Sequence, residues 1–210
     1  MRTVFLLSPA YCGGRRAASL LRAQSKLPIS RRLHTGSLTL GEAFTFCSGL
    51  YFRGKIAYAT AFAPDETFVI TPTRGLLPPG AIVSADLMTE FAGVDISEGD
   101  TRYRTPLERD LRALLARTGD DARVVLLGSI ATGKYVEVLT ETLGSQLHFP
   151  PSFIGRGDMS RGGLLLRHAA SREELEYAPL DSATKRTGAR PPKLDPRTRV
   201  SAVRYIHLSR

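Results

Sequence analysis

Residues 123–143 read RVVLLGSIATGKYVEVLTETL. The opening RVVLL is a short, unbroken run of β-formers with no polar alternation, which predicts a strand buried on both faces. A glycine-bounded polar loop follows at 128–133. Residues 134–143 then carry Val and Leu at helical spacing up to Gly144, which predicts a helix with a glycine stop. The same unit stands at the start of the chain. Residues 3–7 (TVFLL) predict a buried strand, Ser8-Pro9 and Gly13-Gly14 a loop, and 15–24 a helix. A further strand is expected at 67–71 (TFVIT) before Pro72, with shorter ones at 146–149 and 164–167. Between them, 38–63 reads as the longest helix, weak at Gly49 and Gly54, and 85–92 as a short one. Residues 106–117 predict a helix with Leu107, Leu111, Leu114 and Leu115 on one face. Residues 27–37, 73–80 and 155–163 read as connections. Strands alternating with helices predict an α/β fold in three layers, with a mostly parallel central sheet of about 4–5 strands.

The chain has 210 residues, of which 42% are hydrophobic and 23% charged. That composition suits a soluble globular protein and excludes disorder throughout. No apolar run reaches the roughly 18 residues of a membrane span. Residues 1–181 are expected to form one α/β domain, and 182–210 a Pro/Arg-rich extension, ordered in part at most, in which only 200–208 resembles a strand. The 29 Lys and Arg outweigh the 20 Asp and Glu, for a net charge of +9. This excess sits at the ends: residues 1–36 hold seven basic residues and no acid, and 185–210 hold eight with the single acid Asp195. Such asymmetry points to a polyanionic partner, DNA, RNA or a nucleotide, although arginines that merely solvate a surface produce the same count. Two cysteines make no disulfide framework, so a reduced, cytoplasmic protein is expected. Residues 1–14 read as a first strand and loop rather than a signal peptide.

In α/β sheets ligands bind beyond the carboxyl ends of the strands, and three glycine-rich loops follow predicted strands here. In the first, Ser8, Gly13 and Arg15 suit a bound phosphate; a tight packing turn is the plain alternative. Cys12 lies among arginines at a helix start, a setting that would lower a thiol pKa. The second loop, Gly128 to Lys134, matches G-x-x-x-x-G-K, but Tyr135 replaces the Ser or Thr that would hold magnesium. Contacts through Gly128, Ser129, Lys134 and Tyr135 are therefore expected without nucleotide hydrolysis of the P-loop kind. The third, GRGDMSRGG, offers Arg156, Ser160 and Arg161 as anion ligands and Asp158 as an acid or base. Arg74, after the strand at 67–71, would join them at the same rim, and Arg53 and Lys55 would lie on a solvent or site face of the long helix. His34, His148, His168 and His207 have no metal-ligand spacing; neither a metal nor another cofactor is expected.

Three segments carry a likeness to a known family. FLLSPA (5–10), FVITPTRGLLPPGAIVSAD (68–86) and VVLLGSIATGKYVEVL (124–139) resemble stretches of small bacterial proteins related to the YaaA peroxide-response family. The likeness covers about half the chain. It implies an α/β domain reminiscent of uracil-DNA-glycosylase-like folds and a DNA- or nucleotide-related role, and it transfers no catalytic residue. Taken together, the expectation is a nucleic-acid- or nucleotide-associated protein that binds a phosphate-bearing ligand across the three loops, with chemistry, if any, on a nucleobase or N-glycosidic bond. A small-molecule enzyme of nucleotide metabolism and a non-catalytic DNA- or RNA-binding module are the alternatives.

Overall fold

A computed structural model describes residues 2–97, 99–192 and 194. Four parallel strands form the middle of one sheet: β1 (Arg2–Leu7), β2 (Thr67–Ile70), β4 (Ala122–Leu127) and β5 (Leu147–Phe149). Two antiparallel strands of two residues each, β3 (Leu76–Leu77) and β6 (Ala178–Pro179), close its edges. The order is β3-β2-β1-β4-β5-β6. The expected three-layer α/β architecture holds, with six strands in place of 4–5. The added edge strands lie in segments too short and too Pro-rich to carry a strand pattern of their own.

Alternate residues of the central strands supply two cores. Phe5, Leu7, Val69, Val125 and Leu127 face one layer; Val4, Leu6, Ile70, Val124 and Leu126 face the other. Because both faces are covered, the strands show no polar alternation, which is why they read as continuous apolar runs. The first layer holds α1 (Arg15–Leu21), α2 (Pro28–His34), α3 (Leu40–Ser48), α4 (Leu50–Phe62), α5 (Ala85–Ala92) and α8 (Asp158–Ser171). On the second lie α6 (Thr101–Thr118) and α7 (Gly133–Leu143). No helix among the described residues is long and apolar enough to cross a membrane.

Four local expectations are corrected. The long helix at 38–63 is two helices, because Gly49 adopts φ +67°, ψ −130°, a conformation that ends α3 and re-aims the chain into α4. The connection at 27–37 contains α2, started by Pro28 at its first turn. Residues 106–117 belong to the longer α6, which Asp100 caps by accepting from Arg102 N at 2.9 Å, with Pro106 inside it. Most consequential, the loop at 155–163 and the strand at 164–167 are largely one helix, α8. Its glycines serve close packing. A Cβ on Gly162 would stand 2.7 Å from Leu50 O, and one on Gly54 would stand 2.7 Å from Gly162 O, so α4 and α8 touch backbone to backbone.

The described part of the extension returns to the domain. Arg186 pairs with Glu137 at 2.5 Å, and a Cβ on Gly155 would meet Ala189 O at 2.1 Å. The edge strand expected at 200–208 lies outside the described residues.

Candidate functional site

Leu7 of β1 pairs with Leu127 of β4, so Ser8 and Gly128 leave the sheet side by side at its carboxyl rim. The chain runs from β1 to β2 on one side of β1 and later to β4 on the other. This is the topological switch point of the sheet, where diverging loops leave a crevice. A cleft of about 380 Å³ opens there. Ser8, Tyr11, Arg15 and Arg16 line it from the loop after β1 and the start of α1; Ser129 and Tyr135 line it from the loop after β4 and from α7; Ser48, Tyr51 and Asp158 line it from α3, α4 and α8.

At the floor of the cleft is Ser8, almost wholly buried. Its amide donates to Leu127 O at 3.3 Å. The Lys55 Nζ donates to Ser8 O at 2.5 Å and to Ser8 Oγ at 2.9 Å, and Ser8 Oγ donates to Leu127 O at 3.4 Å. Lys55 reaches there because α4 presents Tyr51, Phe52, Lys55, Tyr58 and Ala59 on its inward stripe. At 1% exposure Lys55 has no ion pair among the described residues, and burial pushes its pKa down to about 7; Asp158 pulls it up and Arg161 pushes it further down. The Tyr135 hydroxyl donates to Ser129 O at 2.7 Å and stands beside Ser8. The Tyr51 hydroxyl is buried without a hydrogen-bond partner among the described residues, and burial raises its pKa against the opposing pull of Arg161.

The rim differs from the floor. Arg15 and Arg16 are exposed and enter no ion pair with the described residues, whereas many other arginines are paired with carboxylates. Tyr11 is 74% exposed, with its ring folded over Gly13 and Gly14. Arg161 is buried; it donates to Phe153 O and to Asp158 Oδ1, each at 3.2 Å. Asp158 is thus held at the rim with its side chain 67% exposed.

Of the residues singled out in the sequence, Ser8, Arg15, Ser129, Tyr135 and Asp158 meet at this cleft, and Arg161 stands behind Asp158. Gly128 acts by absence: a Cβ there would lie 2.9 Å from Ser8 Cβ and 3.1 Å from its Oγ. The Gly128→Ala variant is therefore expected to push Ser8 off Lys55 and to cost about 1–3 kcal/mol in urea unfolding. A wild-type midpoint would show that the loop yields freely. Gly13 supports the Tyr11 ring. The Arg156 side chain is engaged with Ser152 O, Ser160 Oγ and Pro192 O and does not line the cleft. Lys134 is exposed outside it. Arg74, paired with Glu90, lines a separate depression with Thr73 and Arg109. Cys12 is the reverse of what its neighbours in sequence suggest: buried, with burial first and Cys47 second pushing its pKa up to about 12, it is no activated thiol.

Sequence reading missed Tyr11, Arg16, Tyr51 and the depth of Lys55. One signal was present for the last. Positions 51, 52, 55, 58 and 59 form an apolar helical stripe with a lysine at its centre. No cluster of potential metal ligands occurs among the described residues. No protein-family model, no curated protein and no solved structure matches the chain.

Proposed function

We propose that the switch-point cleft binds a phosphate-bearing ligand of the nucleotide class, either free or as part of a DNA or RNA chain. The observation that carries this reading is the pairing at one rim of an exposed aromatic ring, Tyr11, with two arginines that have no carboxylate partner among the described residues, Arg15 and Arg16. A ring face stacks a base of any identity, and guanidinium groups meet phosphate in bidentate geometry. The buried hydroxyls of Ser8 and Tyr51 and the hydroxyl of Ser129 supply uncharged donors below them. Asp158 repels phosphate and accepts instead from a ribose hydroxyl or an exocyclic amine. The likeness of residues 5–10, 68–86 and 124–139 to YaaA-related proteins leans the same way, as does the basic excess at both ends of the chain.

Fluorescence anisotropy with a labelled single-stranded oligonucleotide of mixed sequence tests it. Wild-type protein is expected to bind at about 50 mM salt and to weaken steeply by about 200 mM. The Arg15→Ala/Arg16→Ala double variant is expected to lower the salt slope by about two, one for each lost phosphate contact. Tyr11→Ala should weaken binding by roughly tenfold at every salt concentration, because stacking is not screened. Binding that is absent at low salt, or identical in all three proteins, overturns the reading.

A further inference from the structure

Lys55 has an unusual set of partners. It is 1% exposed, and among the described residues it meets only Ser8 O, Ser8 Oγ and the ring faces of Tyr51 and Phe52, at 4.5 and 4.6 Å from Nζ. A buried ammonium without a counterion is expensive, and a methionine or leucine would fill the same space without that cost. The charged and titratable groups facing it are Asp158 and Arg161 from α8, which act in opposite directions, and Tyr51 from its own helix. The amine is therefore neutral in much of the population near neutral pH. In the resting structure Ser8 Oγ accepts from Nζ at 2.9 Å and donates to Leu127 O at a long 3.4 Å; a neutral amine keeps one N–H for Ser8 O and takes the hydroxyl proton on its lone pair once that hydroxyl rotates from Leu127 O to Nζ.

Ser8 is set up on its own side as well. It follows the central strand at the switch point, the missing Cβ of Gly128 leaves room for its hydroxyl, and it lines the cleft. A hydroxyl and its base at 2.9 Å, with the hydroxyl facing a ligand cleft, is the arrangement of an activated nucleophile.

We propose that Ser8 is a nucleophile with Lys55 as its general base, and that it attacks the phosphorus of a phosphodiester held at the rim by Arg15 and Arg16. Ser8 Oγ forms the new oxygen–phosphorus bond while its proton passes to Lys55 Nζ. The bond from phosphorus to the leaving oxygen breaks, and its electron pair goes to that oxygen. The leaving alkoxide takes up the proton from the Lys55 ammonium, directly or through one water. The product is an alcohol and a phosphodiester linkage on Ser8, which water or a second hydroxyl resolves by the reverse path. Phosphorus is favoured over an acyl carbon for two reasons. Phosphoryl transfer spreads charge over several oxygens, which suits Arg15, Arg16 and the buried Tyr51 hydroxyl, which has no partner among the described residues. An acyl transition state draws on neutral donors beside the nucleophile, and the Ser8 amide is already committed to Leu127 O.

The substrate class rests on the nucleotide reading; the nucleophile and base do not. Two probes separate them. The first is an uncharged alkyl fluorophosphonate, which needs no nucleotide site. Full-length protein is expected to be phosphonylated on Ser8, as read by peptide mapping, with a rate that rises between about pH 6 and pH 8 around a midpoint near 7. Ser8→Ala should take no label. Lys55→Met should fold by circular dichroism yet label roughly 100-fold or more slowly. Lys55→Arg, which keeps the charge but cannot accept a proton, should not restore the rate. The second probe is thymidine 5′-(4-nitrophenyl) phosphate, expected to release one nitrophenolate per protein in a burst and leave a thymidylyl group on Ser8. Label on another residue, or an unchanged rate in Lys55→Met, overturns the pair. Acetylation of Ser8 by 4-nitrophenyl acetate with no reaction at phosphorus overturns the assigned substrate. An unlabelled Ser8 in a protein that still binds oligonucleotide overturns this inference and leaves the nucleotide reading standing. A labelled Ser8 in a protein that binds no oligonucleotide removes the nucleotide reading and the phosphodiester with it.

Discussion

Replacing Gly162 with alanine is expected to destabilise the protein by about 3 kcal/mol, lowering Tm by roughly 6–12 °C for a chain of this size. The added Cβ would sit 2.7 Å from Leu50 O, 2.8 Å from Leu50 C and 2.8 Å from Tyr51 Cα. All three are backbone atoms of α4, so no side chain can swing aside, and α4 and α8 must separate. That separation opens the packing around Phe52, Leu164 and Leu165, which are buried in the first core. Folded proteins of this kind hold only about 5–15 kcal/mol in total, so the loss is a large fraction. Gly163→Ala is the matched control. Its Cβ would meet Leu194 Cδ1 at 3.3 Å, the end of a flexible side chain, and alanine is the better helix former by about 1 kcal/mol. Thermal unfolding by circular dichroism distinguishes them; equal melting temperatures would mean that the helices do not touch where the glycines lie. The variant reaches the site too, because α4 carries Tyr51 and Lys55 and α8 carries Asp158 and Arg161.

The second large effect is a dependence of stability on pH that a single residue carries. An exposed lysine in the unfolded chain titrates near 10.5, while burial holds Lys55 at about 7 in the folded protein. Between these values the unfolded state binds one proton more than the native state, so stability rises with pH. The full contribution is present above the unfolded pKa, is lost progressively as pH falls through the window, and changes no further below about 7. Relative to Lys55→Met, wild-type protein is expected to gain about 2 kcal/mol between pH 7 and pH 9. Urea unfolding of both proteins at each pH gives the difference. The buried thiol Cys12, the half-buried Cys47 and the buried tyrosines, whose pKa values are all raised, oppose the trend at the alkaline end, and they cancel in the comparison. Parallel curves would mean that Lys55 stays charged inside the fold, and Ser8 would then have no base.

These two effects arise where sequence reading went furthest astray. The run GRGDMSRGG has the composition of a loop, and in isolation its four glycines argue against a helix. It becomes α8 from Asp158 onward because Gly162 lets two helix backbones meet, and the packing won there outweighs helix propensity. Lys55 lies in a segment whose apolar periodicity was plain, but a lysine on a helix ordinarily extends to water. Its burial depends on the start of the loop after β1 covering its amine, a contact between residues 47 positions apart. Cys12 errs in the opposite direction: its neighbours in sequence are arginines, but its neighbours in space leave it buried beside Cys47, and desolvation dominates.

What the amino-acid string determined by itself was the alternation of strand and helix and which loops would share the carboxyl rim of the sheet. Short unbroken runs of Val, Phe and Ile between turn residues favour strands covered on both faces, and loops that follow such strands emerge at one rim of a parallel sheet. That much is local pattern, and it brought Ser8, Arg15, Ser129, Tyr135 and Asp158 to the rim where the cleft opens. Which of the basic residues would be free, paired or buried was decided only by the tertiary structure. A guanidinium or an ammonium takes its chemistry from the charges and water within a few ångströms, and these come from elements far apart in the chain: Glu90 for Arg74, Asp158 for Arg161, and Ser8 for Lys55.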